Sequence, residues 1–415
     1  MRKETTPELP VVMPAGDGRE AWAYASIIEQ TTIDQALSMA RHPLVKEPVR
    51  LMADCHAGVG GAGTVGSVIV MEGGLIPAAV GPDIGCGMHA IRFDARASDL
   101  DNDARQDIFQ TITEAVPMGT GKNQDQPSES AKSGLEGVTA EFGPADPLVE
   151  GQVLAQLGTL GSGNHFIEVS EDEDGYLWAV VHSGSRGVGY KLADRAMRAA
   201  KVHCEDAGIE LEHRDLSYLP QETDGYRSYV HDMLWAQRWA KQNRLEMMAA
   251  VEKAIHRHIT PDRVVDFDCH HNYAEALDPA ESTTGPGAGA DSQRPERWLI
   301  RKGAIAACEG MPGVVPGSMG TDSYIVRGLG NADALNTAPH GAGRMLGRGE
   351  ARRTLSVDDF KSEMDAAGRV WDMHRADQLM DEAPSAYKPI EQVMSDSKAL
   401  VEVEQRLSAI INCKG

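Results

Sequence analysis

The stretch Gly81-Pro82-Asp83-Ile84-Gly85-Cys86-Gly87 is the part of the sequence on which the interpretation of the fold depends. Apolar runs at 75–80 and 88–93 flank it. Because glycine and proline at this density interrupt both helices and central strands, the stretch predicts a tight turn. The turn presents two side chains with ligand chemistry, the Asp83 carboxylate and the Cys86 thiol. Taken alone, this pattern is more typical of a structural turn with a small buried cysteine.

Composition describes an ordinary large globular protein. The chain has 415 residues, of which 41% are hydrophobic and 25% charged, so it can bury a large core in one domain or in two to three smaller ones. We expect neither a membrane span nor a signal peptide, because no apolar run approaches the roughly 18–20 residues of a span. Six scattered cysteines form no disulfide framework, which favours a reducing, cytoplasmic compartment. A net charge of −22 argues against nonspecific nucleic-acid binding, although a local basic groove is compatible with it.

The first third of the chain offers one further group of ligand-type residues. Residues 1–50 are expected to form a polar leader followed by a helix at 32–41. Asp54-Cys55-His56 then precedes a glycine-rich segment and a strand at 67–71. In strand geometry Asp54 and His56 face one way and Cys55 the other. We therefore expect a supporting or structural role for this triplet rather than direct metal ligation.

Residues 158–190 predict a β-hairpin with a histidine at each side of its open end. Strands at 166–169 and 176–181 flank an acidic turn. If the turn is centred between Glu173 and Asp174, His165 pairs with His182 and their Cβ atoms lie ~5 Å apart. That separation suits one metal site or two adjacent sites.

Two helices are expected after this hairpin, at 191–208 and 226–258. Trp235 and Trp239 lie one helical turn apart in the second, which indicates a core stripe rather than a base-stacking surface. A short strand at 264–269 then ends at His270 and His271, and the spacing predicts that only one of the two faces the site, without saying which. Residues 276–296 are rich in Pro, Gly, Ser and Asp and predict a flexible insertion loop.

The last candidate site lies in the C-terminal third. The glycine-rich segment 312–320 can turn backbone N–H groups towards an anion, and Ser318 and Ser323 can add hydroxyl donors. Proline at 339 and glycine at 341 predict a helix that begins just after His340. At a helix N-terminus an imidazole stays neutral and can attack a bound phosphate, although a simple capping histidine explains the pattern equally well. The terminal Lys414 is expected to be a solvated, frayed charge.

The candidate ligands together suggest two metal ions. One tetrahedral site uses four ligands, and the chain offers more candidates than that. A thiolate can also bridge two ions. We therefore expect Cys86 to be shared, with Asp83 and His165 on one ion and His182 and one histidine of the pair at 270–271 on the other. Softness of the ligands favours zinc, while the carboxylate beside imidazoles leaves manganese or iron open.

Six of these segments resemble, in order, the motifs of the RtcB family of RNA ligases. The resemblance runs from about residue 50 to the C-terminus and rests on the segments 81–88, 160–168, 182–187, 269–273, 316–320 and 340–344. It implies an α+β fold, with one large mixed α/β catalytic domain at 51–415, on which 1–50 packs, and with hairpins and loops that carry a metal and nucleotide site. It also implies an enzyme that joins RNA 3′-phosphate or 2′,3′-cyclic phosphate ends to 5′-hydroxyl ends, in tRNA splicing or RNA repair, using GTP and two Mn²⁺.

The resemblance further implies roles for individual residues. His340 would be guanylylated, and Arg186 would hold the RNA phosphate near the metals. Asp83, Cys86 and His165 would bind one manganese, and Cys86, His182 and His271 the other, which selects His271 over His270. The implied guanine-nucleotide contacts are Asn164, His165, Phe166, Ile167, Glu168, His271, Asn272, Pro316, Gly317, Ser318, Met319, Ser323, His340, Gly341, Ala342, Gly343 and Lys414.

Two other functions fit the same residues. One is a dinuclear metal-dependent phosphoesterase that forms no covalent intermediate, and the other is a non-catalytic protein that binds RNA ends. We expect a monomer with RNA as its partner, and an activating protein partner is compatible with the sequence. Formation of a covalent guanylate on His340 separates the ligase from both alternatives.

Overall fold

The structure is a computed structural model that describes residues 8–61, 63–277 and 295–415. The insertion predicted at 276–296 therefore lies almost wholly outside the described residues. Ala276 ends a strand, and residues 295 and 296 lead directly into the next one.

The described helices alternate with strands along the chain. The helices are α1 Gln30–Ala40, α2 Pro77–Val80, α3 Asn102–Ala115, α4 Glu129–Phe142, α5 Glu150–Val153, α6 Arg186–Asp206, α7 Asp224–Ile255, α8 Arg348–Thr354, α9 Val357–Ala366, α10 Ala376–Leu379 and α11 Ile390–Asp396. The strands are β1 Val11–Gly16, β2 Arg19–Ala23, β3 Val49–His56, β4 Val65–Glu72, β5 Gly74–Leu75, β6 Gly87–Arg96, β7 Phe166–Asp172, β8 Tyr176–Ser183, β9 Leu219–Pro220, β10 Arg263–His270, β11 Asn272–Ala276, β12 Arg297–Lys302, β13 Ala304–Ala306, β14 Pro312–Val315, β15 Ser323–Gly328, β16 Thr337–Pro339 and β17 Val401–Lys414.

Two large sheets organise the described chain. One has six strands in the order β1-β2-β3-β4-β12-β11, and the other has seven in the order β10-β6-β8-β7-β17-β15-β14. Neighbours within the seven-stranded sheet pair antiparallel throughout, whereas β2 and β3 are parallel. This mixture of helices and sheets confirms the predicted α+β class.

The hairpin of β7 and β8 forms as predicted, but its register differs by one residue. Phe166, not His165, is the partner of His182. The Asp172 carboxylate accepts hydrogen bonds from the backbone N–H groups of Asp174 and Tyr176, and Gly175 has a φ of +81°. This aspartate-stabilised turn moves the centre of the hairpin half a residue further along the chain. His165 therefore lies just before β7 rather than within it.

Helix α7 passes through two of the hydrophobic cores. Its first half, with Trp235 and Trp239, packs in a core that also includes α6 and the six-stranded sheet. Its second half, including Met247 and Val251, lies among residues of the seven-stranded sheet. Both tryptophans are buried, which confirms the prediction of a core stripe. The Thr223 side chain caps the helix by accepting from the N–H of Tyr226.

Several local predictions from the sequence were incomplete. The N-terminal leader contains the hairpin of β1 and β2, which joins the six-stranded sheet beside β3. Helix α4 begins at Glu129, where the sequence analysis assigns no helix, and α6 begins five residues before its predicted start. The chain ends in the 14-residue strand β17, which lies between β7 and β15. Among the described helices, none combines the length and the apolarity that crossing a bilayer requires.

We expect Trp239→Ala to lower the free energy of unfolding by roughly 3–5 kcal/mol, because it removes a fully buried ring and leaves a cavity. The indole also loses its hydrogen bond to the carbonyl of Val153. Urea denaturation followed by circular dichroism measures the change. The control Tyr190→Ala alters an aromatic residue that is 57% exposed on α6 and should shift stability by only about 0.5 kcal/mol. Equal effects of the two variants would contradict this assignment of the core.

Candidate metal and nucleotide site

The segment from Gly81 to Gly87 is a tight turn pressed against helix α7. Gly81 and Gly85 have φ values of +89° and +71°, which side-chain-bearing residues rarely adopt. A Cβ atom at Gly85 would also lie 2.7 Å from the Cα of Gln237 on α7. Glycine is thus required at 85 by both conformation and space, and the turn ends with Cys86 at the start of β6.

The seven-stranded sheet brings the predicted metal ligands to one edge. Cys86 immediately precedes β6, His165 precedes β7, His182 lies near the end of β8, and His271 follows β10. These four strands are neighbours in the order β10-β6-β8-β7, and neighbouring pairs are antiparallel. The start of one strand and the end of the next therefore meet at the same edge, which explains how residues so distant in sequence converge.

The ligand atoms surround the Cys86 sulfur. Its Sγ lies 3.4 Å from Nε2 of both His165 and His182. His165 Nε2 is 2.9 Å from Asp83 Oδ2, and His182 Nε2 is 2.9 Å from His271 Nε2. Cys86 therefore lies between two pairs of ligands, as the proposal of a shared thiolate expects.

The donor set fits bound cations. The Nδ1 of His165 lies 3.0 Å from the carbonyl of Leu160, which favours a proton on this nitrogen and leaves Nε2 as the atom that would bind a cation beside Asp83. Burial lowers the pKa of His182 and of His271 far below the usual value, so both rings are neutral and offer lone pairs. Lone pairs that face one another at 2.9 Å repel unless a proton or a cation lies between them. Burial, and then Asp83, raises the pKa of the Cys86 thiol, an effect that a bound cation would reverse.

The choice between the adjacent histidines follows from their positions at the end of β10. His271 faces His182, while the Nδ1 of His270 lies 3.1 Å from the carbonyl of Gly85 and 3.2 Å from Arg244 Nη2. The two rings thus point in different directions, as alternation predicts. Of the pair, His271 joins the ligand cluster and His270 braces the turn.

A cavity of about 750 Å³ opens beside the ligand cluster. Its lining includes most of the residues predicted to bind metal or nucleotide, namely Asp83, Cys86, Asn164, Phe166, Glu168, His182, His271, Asn272, Pro316, Gly317, Ser318, Met319, His340, Gly341, Ala342, Gly343 and Lys414. The remaining predicted residues lie around it. Ile167 is fully buried in the core beneath, and the Ser323 hydroxyl lies 3.4 Å from Glu168 Oε2. His165 contacts Asp83 and Cys86 as described above.

His340 lies at the end of a strand, so the predicted helix N-terminus is wrong. It follows β16, and the next described helix is α8, which begins at Arg348. The electrostatic partner of the ring is a carboxylate instead: His340 Nδ1 lies 2.6 Å from Asp54 Oδ2, and the same oxygen accepts from the His340 backbone N–H at 3.0 Å. Asp54 is fully buried. The supporting role expected for the Asp-Cys-His triplet therefore applies to its aspartate, which orients the imidazole.

The lining of the cavity also includes a buried carboxylate, that of Glu168. Glu168 Oε1 accepts from Asn412 Nδ2 at 2.7 Å, and burial raises the pKa of Glu168. Lys414 is buried rather than frayed, because β17 pairs with β7 to its last residues and aligns Lys414 with Phe166. The Lys414 ammonium lies 3.1 Å from Glu382 Oε2. This lysine therefore belongs to the cavity wall.

The arginines near His340 are paired with buried acids. Arg348 contacts both Asp381 and Glu382, Arg352 contacts Asp381, and Arg344 contacts Glu382. The Tyr387 hydroxyl donates to Glu382 at 2.6 Å. These arginines therefore fix the cavity wall instead of presenting a free basic surface.

Arg186 begins α6 beside the ligand cluster. Its φ is +57°, and its guanidinium occupies the space that a Cβ atom at Gly161 would need. Its Nε is buried without a hydrogen-bond partner among the described residues. Asp83 and Cys86 are the charged partners nearest to this guanidinium, so Arg186 lies beside the ligand cluster.

Sequence reasoning missed several residues of the cavity. His56, Lys302, Glu382 and Tyr387 all line it. His56 belonged to the triplet that pointed to Asp54, so a signal existed for it. Glu382 and Tyr387 lie in a segment without any pattern of ligand spacing, and only the tertiary structure reveals them.

Glu382 should contribute to acid stability. Burial alone would raise its pKa, but Lys414 and then Arg348 outweigh this and lower it to about 2. A carboxyl whose pKa is depressed in the folded state stabilises the protein above its unfolded pKa of ~4.3 and loses that contribution as pH falls towards the folded value. We expect the melting temperature of the wild type to fall more steeply between pH ~4.3 and about 2 than that of Glu382→Gln. Parallel curves in thermal melts at stepped pH would contradict the pairing.

Comparison with known proteins supplies the family. The family model described as "tRNA-splicing ligase RtcB" matches residues 35–415. The chain is 34% identical to the RNA-splicing ligase RtcB of Escherichia coli (strain K12), over 99% of this chain and 98% of that protein. It is 28% identical to the tRNA-splicing ligase RtcB of Pyrobaculum aerophilum, over 88% and 86% of the two chains. It is also 26% identical to the tRNA-splicing ligase RtcB of Archaeoglobus fulgidus, over 92% and 91%.

These matches cover both the metal-ligand edge of the seven-stranded sheet and the cavity beside it, and they extend across bacterial and archaeal relatives. The chain therefore belongs to the RtcB family of RNA ligases.

Proposed function

We propose that this protein joins RNA 3′-phosphate or 2′,3′-cyclic phosphate ends to 5′-hydroxyl ends through a guanylylated His340. The observation that supports this best is the placement of His340. Its ring is tied to the buried Asp54, lines the cavity and lies 4.5 Å, centroid to centroid, from the ring of His271. A nucleophile, a nucleotide-sized cavity and a cluster of metal ligands thus share one site.

The nucleophile is His340 Nε2. A hydrogen bond from the Nδ1–H group to Asp54 leaves the lone pair on Nε2. The carboxylate also stabilises the positive charge that the ring acquires during attack. Nε2 forms a bond to the α-phosphorus of GTP while the bond from that phosphorus to the bridging oxygen breaks, and pyrophosphate leaves. The product is GMP linked to His340 by a P–N bond.

A 2′,3′-cyclic phosphate end must first be hydrolysed, with water adding to phosphorus and the bond to the 2′-oxygen breaking, which gives a 3′-phosphate and a 2′-hydroxyl. Two further displacements then complete the reaction. An oxygen of the RNA 3′-phosphate attacks the phosphorus of the adduct, and His340 leaves with its electron pair. The RNA 5′-hydroxyl then attacks the phosphorus of the activated 3′-phosphate, losing its proton, and GMP leaves. Arg186, close to Asp83 and with an unpartnered buried Nε among the described residues, is the group that holds the RNA phosphate.

Guanine is the base that Glu168 and Lys414 in the cavity lining suit. The Glu168 carboxylate is an acceptor, and guanine presents two adjacent donors, N1–H and the 2-amino group, where adenine has none at N1. Lys414 can donate to the O6 and N7 acceptors of guanine. An acceptor at Glu168 and a donor at Lys414 thus support GTP rather than ATP as the nucleotide that binds.

Two Mn²⁺ are the proposed metals. Asp83, Cys86 and His165 would hold one ion, and Cys86, His182 and His271 the other. Bound metal supplies Lewis-acid stabilisation of phosphate charge that the acidic chain itself does not provide. The six free cysteines support a reducing, cytoplasmic location for such a thiolate site. We propose that the protein acts as a monomer on RNA.

His340→Ala should abolish formation of the guanylate adduct, because no other atom replaces Nε2. Asp54→Asn should slow adduct formation by roughly 10²–10⁴-fold, since an amide can hold the ring in the wrong tautomer and carries no charge. Incubation with labelled GTP and Mn²⁺, followed by denaturing gels and peptide mapping, measures an acid-labile, alkali-stable adduct. His231→Ala, at a half-exposed histidine on α7, is the control.

An adduct that survives His340→Ala would falsify this mechanism. Release of phosphate from RNA 3′-phosphate ends without joining or adduct would favour the metal-dependent phosphoesterase. RNA-end binding with metal bound but without turnover would favour the non-catalytic protein.

Cys86→Ala should reduce bound Mn²⁺ from two equivalents to fewer than one, because the thiolate is shared by both ions. Metal analysis after equilibrium dialysis measures the stoichiometry. The matched control is Cys308→Ala, which removes an exposed thiol and should leave two equivalents. Loss of only one equivalent in Cys86→Ala would contradict the shared thiolate.

A further inference from the structure

Helix α7 sends one fully buried guanidinium, that of Arg244, to the backbone that carries the metal ligands. We infer that Arg244 is a positioning residue that sets the spacing of the two-metal centre. The inference rests on the proposed function, since it concerns the same metals. The evidence for it is a set of contacts between Arg244 and three of the four segments that bear the candidate metal ligands.

Each of these contacts lies next to a metal ligand in the chain. Arg244 Nη1 donates to the carbonyl of Gly85 at 2.8 Å, one residue before Cys86. The same nitrogen donates to the carbonyl of Ser183 at 2.9 Å, one residue after His182. Arg244 Nη2 lies 3.2 Å from Nδ1 of His270, one residue before His271. One rigid, planar group therefore fixes the distances between three ligand-bearing segments.

The remaining donors of Arg244 face Asp268. Nε and Nη2 donate to the two carboxylate oxygens at 2.7 and 2.8 Å. A guanidinium has five N–H groups, and here two carboxylate oxygens and two backbone carbonyls accept four hydrogen bonds from it. These four hydrogen bonds hold the guanidinium in one orientation, so the backbone segments it contacts share its rigidity.

Asp268 also neutralises the positive charge of Arg244. A buried positive charge beside a cation site would repel the metal, but the bidentate carboxylate neutralises it. Both side chains are buried, with exposures of 0% and 6%. The pair therefore provides geometry without adding net charge next to the ions.

The fourth segment, which leads to His165, is bound to α7 by Asn243, the residue before Arg244. Asn243 Oδ1 accepts from the N–H groups of Gly158 and Thr159, which begin the loop that leads to His165. Its Nδ2 donates to the carbonyl of Gly184 at 3.2 Å. Two consecutive residues of α7 thus connect all four ligand-bearing segments, and Arg244 contributes the larger share.

Neither a side chain at Gly87 nor a lysine at position 244 is compatible with this arrangement. A Cβ atom at Gly87 would lie 3.1 Å from Arg244 Cζ, so the turn passes directly over the guanidinium. Lysine would keep the charge but has three donors on a flexible stem and cannot reproduce the planar arrangement. Arg244→Lys therefore tests geometry at constant charge.

The experiment compares metal binding by the full-length wild type, Arg244→Lys and the control Arg238→Lys. Arg238 lies on the same helix but pairs with Glu141 at the surface. Titration with Mn²⁺, and with Co²⁺ to observe the thiolate-to-metal absorption band, gives affinity and geometry. We expect Arg244→Lys to weaken metal binding by roughly 10–100-fold and to alter the Co²⁺ band, and Arg238→Lys to match the wild type.

A second readout separates positioning from general stability. If Arg244 sets the metal geometry, high Mn²⁺ should restore the guanylate adduct in Arg244→Lys, with the half-saturating metal concentration raised by a similar factor. Asp268→Asn, which leaves Arg244 and its contacts with the turn in place, should show the same effect more weakly and serves if Arg244→Lys does not fold. Unfolding midpoints of the metal-free proteins are measured in parallel.

The outcomes distinguish this inference from the proposed function. Wild-type metal affinity and an unchanged Co²⁺ band in folded Arg244→Lys would overturn the positioning role, whatever the ligase activity. Weakened metal binding would support it even if the wild type formed no GTP adduct, a result that would overturn the proposed function alone. Failure of the wild type to bind either metal would overturn both.

Discussion

The structure depends on one constraint, the burial of several lone-pair donors at a single point. Cys86, His165, His182 and His271 place sulfur and nitrogen atoms close together in the interior, with Cys86 Sγ 3.4 Å from two imidazole nitrogens and the His182 and His271 nitrogens 2.9 Å apart. Such crowding is unfavourable in isolation. It persists because four adjacent antiparallel strands end at the same edge of one sheet and because their ends are held from behind by a buried helix.

The part of the cavity that we propose binds the nucleotide extends the same edge. Strand β17 pairs with β7, so Asn412 and Lys414 arrive beside Phe166 and Glu168. His340 comes from elsewhere, at the end of β16, and meets Asp54 at the end of the six-stranded sheet. The candidate site therefore lies where elements of different sheets converge, and it combines two kinds of chemistry. One group of residues is the set of candidate metal ligands, and the other is a buried carboxylate with donors around it.

Prediction from the sequence succeeded where a short segment by itself determines the local structure. The turn at 81–87, the hairpin of β7 and β8 and the buried tryptophans of α7 are all present, and the side chains proposed as metal ligands lie close together. It failed where distant contacts override local preference. His340 has no helix behind it, the hairpin register is one residue from the predicted one, and Lys414 is buried by strand pairing rather than frayed. In each case the deciding partner, such as Asp54 or Glu382, lies far away in the chain.

The sequence by itself determined which residue types are available and which local backbone shapes are possible. Glycines at 81 and 85 require a turn, and histidines at strand ends supply ligands. Only the tertiary structure decided which of these residues meet, because strand order and register are set by pairing between segments many residues apart. The same is true of Arg244, which reads in the sequence as one more arginine on an amphipathic helix. Its five contacts exist only because the turn, two strand ends and Asp268 are packed around it.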